Sequence, residues 1–434
     1  MSEARYLAVK LLNKTFRSGS YSNIQLSGGL DSSDLSPQDK KLCSVLYYGV
    51  IERRITLDCA ISGLSSRPLN KLDDVVLNIL RCGIYQLKYM DNIPDNAAVN
   101  ESVALAKKFG KTSASGMVNA ILRSFIRSGK NVAYKGRNSY ESMSVEYSVP
   151  AELVKSLMAD YGEELARDLL SNALEKPPVY MRRNSLRCTE VEFAAALGEI
   201  SAEPDTPEDC WKASGGDVTA TEAFRKGYFH VQDKSSQLCC MALAPTEADT
   251  VLDICAAPGG KTFTMAELMN GKGRIFAFDL HDKRVKLIRD GAERLGLGNI
   301  TASAGDATKY NSELPQFTKI LCDVPCSGFG VIGRKPEIKY KSLSEFERLP
   351  DIQYAIAENA LKYLAVGGEM VYSTCTLRKA ENEAVVERLL AAHPEIEPAE
   401  LPAPLDTVGS CSASIFPRYF HSDGFFIAKL KKVR

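Results

Sequence analysis

Two cysteines carry the pattern with the clearest chemical meaning: Cys326 in Asp323-Val324-Pro325-Cys326-Ser327-Gly328 and Cys375 in Tyr372-Ser373-Thr374-Cys375-Thr376. Each closes an apolar, strand-like run downstream of the turn Cys255-Ala256-Ala257-Pro258-Gly259-Gly260-Lys261. A thiolate is the side chain suited to reversible covalent addition. Small residues ahead of a helix let backbone N–H groups approach a ligand closely and favour a negative group there. The combination predicts covalent chemistry beside a bound cofactor. The turn is neither Gly-x-Gly-x-x-Gly nor Gly-x-x-x-x-Gly-Lys-Ser/Thr, which weakens the dinucleotide and P-loop readings.

Acidic residues follow at successive strand ends. Asp279 closes the second strand-like run and can accept hydrogen bonds from both hydroxyls of a ribose. Asp306, in Ala304-Gly305-Asp306-Ala307, closes the third and can accept from an adenine amine. Singly, each Asp reads as a turn or cap residue. In this order, they point to an adenosine-containing cofactor. Lys261 and Arg284 add positive charge nearby, a helix-face role being as good a reading for Arg284. Asp323 opens the loop to Cys326 and is placed to meet both cofactor and substrate. Cys239, Cys240, Cys255 and Cys322 are expected to have thiols buried in the core, although the Cys255 backbone belongs to the cofactor turn.

The elements that must position these groups alternate from residue 235 onward. Strand-like runs cover Thr250 to Cys255, Gly273 to Phe278, Asn299 to Ala304, Lys319 to Cys322, Glu369 to Ser373 and Gly424 to Leu430, with helix patterns at 261–270, 282–296, 351–365 and 380–392. That alternation predicts a mainly parallel, doubly wound sheet with its ligands at the carboxyl ends of the strands. Before it, Ala4 to Phe16, Asp39 to Leu57, Asp73 to Met90, Ala97 to Phe109 and Ser115 to Ser128 show helical spacing and predict a small bundle. Ser18 to Gln38, rich in Ser, Gly and Asp, reads as a loop. The expected layout is an all-α domain over 1–130, a linker over 131–149, a small α+β module over 150–230 and an α/β domain over 231–434. In the α+β module, strands are expected near 179–184 and 227–232, with a short helix at 191–197.

Composition narrows the classes. Of 434 residues 45% are apolar and 25% charged, and no apolar run approaches the roughly 20 residues of a membrane span. The N-terminal residues lack a signal-peptide pattern, so a cytoplasmic location is expected. The 12 cysteines form no Cys-x-x-Cys pair, and the four histidines, His230, His281, His393 and His421, lie far apart, so no metal is expected. Residues 1–130 hold 18 Lys and Arg against 11 Asp and Glu, within a chain of zero net charge. That basic excess suits a polyanion or is an ordinary solvated surface.

The ordered set of Asp253 to Lys261, Asp279, Asp306, Asp323 to Gly328 and Ser373 to Thr376 resembles the motifs of S-adenosylmethionine-dependent RNA cytosine-C5 methyltransferases of the Nol/Nop/Sun family. Met117 to Arg123, Val231 to Gln237 and Asp423-Gly424-Phe425-Phe426 support it. The resemblance implies a helical N-terminal domain similar to the antitermination factor NusB, which contacts RNA or protein. The small α+β module follows, and then a Rossmann-like methyltransferase sheet that binds S-adenosylmethionine through the residues named above. The whole-chain layout is similar to members acting on 16S rRNA, free or partly assembled, at a single-stranded or splayed-out cytidine. Cytosine C5 becomes nucleophilic once a thiolate has added at C6. Spacing does not choose between the two thiols. The resemblance makes Cys375 the nucleophile, with Cys326 assisting release and Asp323 on the base edge. Arg182, Arg183, Arg187 and Lys335 serve equally as phosphate contacts or surface charge. Two other readings stay open at this point: an RNA assembly factor with an inactive methyltransferase-like domain, and an oxidoreductase using a nicotinamide cofactor.

Overall fold

The computed structural model describes residues 2–18, 22–132 and 138–434. The chain divides into two compact units, Met1–Leu174 with Lys335–Lys341, and Glu175–Arg334 with Ser342–Arg434.

The first unit is helical. Asp74–Tyr89 is typical of how its sequence makes a helix: the Asp73 carboxylate accepts the Val75 and Val76 N–H groups at its start, and Val76, Ile79, Leu80, Ile84 and Leu87 recur at three- and four-residue spacing and are buried. Tyr47, Leu46 and Val50 of Pro37–Glu52 and Val118, Leu122 and Phe125 of Ser115–Arg127 fill the same core. The segment 335–341 is tied in by Tyr340 Oη, which donates to the Ile51 carbonyl at 2.7 Å, and by Lys339 Nζ, which donates to that of Glu52 at 2.7 Å.

Three stretches depart from the sequence reading, the first being 150–174, expected in the α+β module but part of the helical unit, where it forms the helix Ala151–Asn172. Within 18–38 the helix Ser22–Asp31 forms, because Leu26 is buried and Gly29 lies against Leu11, where a Cβ would come within 2.7 Å of a methyl carbon. Within 131–149 the helix Ser139–Tyr147 forms, started by Asn138, whose side chain accepts the Glu141 N–H. It buries Met143 and Ser144 among its residues, so its polar sequence carries little helical periodicity. Residues 19–21 of the expected loop and 133–137 of the expected linker lie outside the described residues.

The second unit holds two sheets. The smaller has strands β1 (Val179–Arg183), β2 (Ala202–Asp205), β3 (Cys210–Ala213) and β4 (Phe229–Val231) in the order β2-β3-β1-β4, all antiparallel. The strands β1 and β4 and the helix Glu190–Ala196 match the sequence reading. The edge strand β2, Ala-Glu-Pro-Asp, shows no alternation of apolar residues and is held by its pairing with β3.

The larger sheet is formed by β5 (Thr250–Asp253), β6 (Arg274–Asp279), β7 (Ile300–Ala304), β8 (Phe317–Asp323), β9 (Leu364–Thr374), β10 (Ile396–Pro398), β11 (Ser412–Ile415) and β12 (Phe425–Lys432). The order is β10-β12-β9-β8-β5-β6-β7, with β11 paired to β12. The strands β5 to β9 run parallel, and β12 runs antiparallel to β9. Val251, Leu252, Ile320, Leu321, Val371 and Tyr372 are buried, as expected of strands covered on both faces. The chain winds outward through β5, β6 and β7 and then restarts on the other side of β5 with β8. That reversal opens a crevice at the carboxyl ends of β5 and β8. Among the described residues, no helix is long and apolar enough to cross a membrane.

Candidate active site

At the end of β5 the chain turns sharply into the helix Gly260–Leu268. Gly259 adopts φ +113°, and a Cβ there would lie 2.4 Å from the Phe263 ring, so glycine is required. The Gly259 N–H donates to the Ala256 carbonyl at 2.8 Å, and the Ala256 N–H to that of Phe278 at 2.7 Å, which fixes the turn against β6. Pro258 follows Ala257 through a cis peptide bond. Asp253 is buried beneath the turn, where its Oδ2 accepts the Thr262 hydroxyl at 2.6 Å. Burial pushes its carboxyl up to about 7. Its other oxygen is buried and finds no hydrogen-bond partner among the described residues. Tight backbone, a helix start and an unsatisfied buried acceptor fit a cofactor that brings its own donors.

Arg284 joins this turn to the next strand end. Its Nη2 donates to the Ala257 carbonyl at 2.7 Å and its Nη1 lies 3.2 Å from Asp279 Oδ2. Asp279 is itself buried and accepts the His281 N–H at 3.3 Å. Asp306 accepts the Thr308 hydroxyl at 2.6 Å and its N–H at 3.0 Å, and these bonds hold its carboxyl below the usual range. It lines a cavity of about 250 Å³ with Phe278, Ala304, Tyr310 and Tyr363. The cavity's aromatic and aliphatic lining, with Asp306 and its partner Lys309 among the lining residues, fits a heteroaromatic ring with an amine to donate.

The two thiols meet. Cys326 Sγ and Cys375 Sγ are 3.3 Å apart, on loops leaving the adjacent strands β8 and β9, and both side chains are partly exposed. The hydrogen bond between them, reinforced by burial, holds the Cys326 thiol well above the ordinary range. Asp323, at the end of β8, accepts Lys261 Nζ at 2.7 Å on one oxygen and the Ser373 hydroxyl at 2.8 Å on the other. Burial disfavours the lysine's charge, but Asp323 overrides it, and Lys261 stays above the usual lysine range. One ion pair thereby connects the cofactor turn to the loop carrying Cys326.

Both loops are packed backbone to backbone. The Gly330 N–H donates to the Cys375 carbonyl at 3.0 Å and the Gly424 N–H to that of Gly330 at 2.9 Å. The geometry thus gathers Cys255 to Lys261, Asp279, Arg284, Asp306, Asp323, Cys326 and Cys375 at the carboxyl ends of the parallel strands. Cys239, Cys240 and Cys322 are buried core thiols, whereas Cys255 is partly exposed beside the turn. Arg182 and Arg183 are not free for phosphate: Arg182 is buried against Glu267 at 2.8 Å, and Arg183 pairs with Asp209 at 2.5 Å. Arg187 reaches the Lys226 carbonyl at 3.3 Å, and Lys335 opens the segment that joins the helical unit.

Several residues of this site escaped the sequence reading. Gln353, Glu381 and Asn382 brace the thiol loops, and Arg334 lies between Asp233 at 2.9 Å and Asp423 at 2.6 Å. Glu381 and Asn382 precede a helix, where acidic and amide residues read as caps. Their burial became visible only in three dimensions. No group of three or more His, Cys, Asp or Glu side chains placed to hold a metal occurs among the described residues.

Comparison with known proteins follows the same division. Residues 240–431 match the family model for 16S rRNA methyltransferase RsmB/F, and residues 2–127 match the NusB family. The probable ribosomal RNA small subunit methyltransferase B of Bacillus subtilis is 37% identical over 443 residues, covering 99% of each chain. That of Synechocystis is 36% identical over 449 residues, covering 100% of each. The crystal structure of PH0851 matches 100% of this chain and 99% of its own with a TM-score of 0.82 at 22% identity, which shows the shared fold. A helical NusB-like region followed by a Rossmann-like methyltransferase sheet, in a chain 36–37% identical to these two relatives over its whole length, places the chain in the RsmB family of ribosomal RNA small subunit methyltransferases.

Proposed function

We propose that the chain transfers a methyl group from S-adenosylmethionine to C5 of a cytidine in 16S rRNA through a covalent Cys375–C6 adduct. The observation that carries this reading is the pair of thiols 3.3 Å apart on two adjacent loops, the one with Cys326 bound to the cofactor turn through Asp323 and Lys261. The bound cofactor supplies an electrophilic methyl group. Its carboxylate is assigned to the turn Cys255 to Lys261, its ribose to Asp279 with Arg284 alongside, and its adenine to the cavity at Asp306.

In the reaction, the Cys375 sulfur adds to C6, and the C5=C6 pair becomes available at C5. Asp323 accepts from the exocyclic amine and holds the base edge. After methyl transfer the C5 proton leaves to water, its electron pair rebuilds C5=C6, and the C6–S bond breaks with its pair returning to Cys375. Cys326, whose sulfur lies 3.3 Å from that of Cys375, is placed to hydrogen-bond the departing sulfur. The family resemblance is what assigns the nucleophile's role to Cys375. The substrate is proposed to be free or partly assembled small-subunit RNA in the cytoplasm, with the basic NusB-like region among its contacts.

The test is incubation of in vitro transcribed 16S rRNA with methyl-labelled cofactor. Cys375→Ala is expected to abolish incorporation, and Cys326→Ala to leave a protein–RNA adduct that survives a denaturing gel. Full activity of Cys375→Ala would remove the assignment.

A further inference from the structure

Glu381 and Asn382 are both at 0% exposure. The Glu381 carboxylate accepts the Ser327 N–H at 2.9 Å and Gln353 Nε2 at 3.0 Å on one oxygen, and Arg378 Nη1 at 2.9 Å on the other. Gln353 Nε2 also donates to the Pro325 carbonyl at 2.9 Å. Cys326 is therefore gripped on both sides, at the carbonyl before it and at the N–H after it. Asn382 does the same for the other thiol. Its Oδ1 accepts the Thr374 hydroxyl at 2.6 Å and its Nδ2 donates to the Thr376 carbonyl at 3.0 Å, on either side of Cys375. The Tyr372 hydroxyl donates to the Glu381 carbonyl at 2.6 Å, which anchors the dipeptide to β9.

A buried carboxylate is costly unless hydrogen bonds compensate it, and a fully satisfied polar network specifies one arrangement where apolar packing would tolerate several. Here three donors meet Glu381, and all belong to the two cysteine loops or to the helix beside them. We propose that adjacent residues divide the work of placing the thiols: Glu381 is a positioning residue for Cys326, and Asn382 is one for Cys375. The proposal rests on the two-thiol reading given above. It assigns each residue to a different half of the reaction, since Cys375 starts the adduct and Cys326 helps to resolve it.

The experiment uses the full-length chain, in vitro transcribed 16S rRNA and S-adenosylmethionine, and reads adduct formation and release separately. Glu381→Gln has one carbonyl oxygen where two carboxylate oxygens are needed, so it cannot satisfy both Ser327 and Arg378. Release is expected to slow roughly 100-fold, as for a small misplacement of a reacting group, with methylated adduct accumulating and the apparent KM for RNA falling along with kcat. Gln353→Leu, which loses only the grip on Pro325 and Glu381, is expected to accumulate less adduct. Asn382→Ala is expected to slow adduct formation on a similar scale without accumulation. Equal slowing of both halves in all three variants, at an unchanged melting temperature, would overturn the proposal, because a merely structural role predicts that result. If Glu381→Gln does not fold, Gln353→Leu decides: accumulated adduct supports the proposal and its absence overturns it. Cys326→Ala separates the positioning role from the two-thiol reading beneath it. No adduct there means failure of the two-thiol reading, whereas an adduct there and none in Glu381→Gln overturns the positioning role alone.

Discussion

Asp253 shows what a single buried group does to the energetics of this site. Its carboxyl is pushed up to about 7 from an ordinary value of 3.8, chiefly by burial. The folded chain therefore binds this proton more tightly than the unfolded chain does. The associated stability is fully present below the unfolded value and is lost as the pH rises through about 7, by roughly 1.4 kcal/mol per pH unit within that window. Asp253→Asn keeps an oxygen to accept the Thr262 hydroxyl but cannot ionise. Urea unfolding at pH 5 and pH 8 is expected to show the variant gaining stability relative to the parent at the higher pH. A constant difference between the two proteins would mean that Asp253 is not protonated in the folded state.

At the scale of elements, what could be read from sequence follows from how each element achieves its burial. The strands β5, β6, β8 and β9 are apolar runs whose ends carry the glycines, aspartates and cysteines of the candidate site, so the sheet was legible and the candidate residues could be named from it. The helices Ser22–Asp31 and Ser139–Tyr147 and the strand β2 lack that signature. They are held by a glycine against Leu11, a cap at Asn138 and pairing with β3, none of which has a period in the sequence. The brace at Glu381 and Asn382 was hidden for a related reason: its partners lie on three separate segments. The meeting of the two thiol loops is open to a direct test at Gly330. A Cβ there would lie 1.9 Å from the Gly424 carbonyl oxygen and 2.9 Å from that of Cys375. Both are backbone atoms, so one loop must move. Gly330→Ala is expected to lose about 1–3 kcal/mol of stability and to impair methyl incorporation disproportionately. Gly298→Ala is the control, since Gly298 is exposed and an added methyl would find no atom within 4 Å. It is expected to change neither a thermal melt nor incorporation.

For the whole molecule the open question is how a chain of zero net charge holds a polyanion. The basic excess is confined to residues 1–130, but several of those cations are already engaged: Arg17 with Asp74, Lys108 with Glu3, Lys111 with Asp73 and Lys130 with Asp95. Such exposed pairs contribute little to stability, and their charge is partly neutralised before any RNA arrives. Arg123 and Arg127 differ. They lie one helical turn apart on Ser115–Arg127, both exposed, with hydrogen bonds to the neutral side chains of Asn119 and Ser124. If the helical unit contacts phosphate as proposed, replacing both with Gln should weaken RNA binding at low salt more than at high salt. Each lost phosphate contact lowers the slope of log K against log salt by about 0.7–0.9, because fewer counterions are released. Binding titrations of the full chain at several salt concentrations would show a slope shallower by about 1.4–1.8 for the double variant, with the single-turnover rate at saturating RNA unchanged. An unaltered slope would assign these arginines to a protein partner or to the surface, and would leave the RNA to be gripped by the unit that carries the thiols.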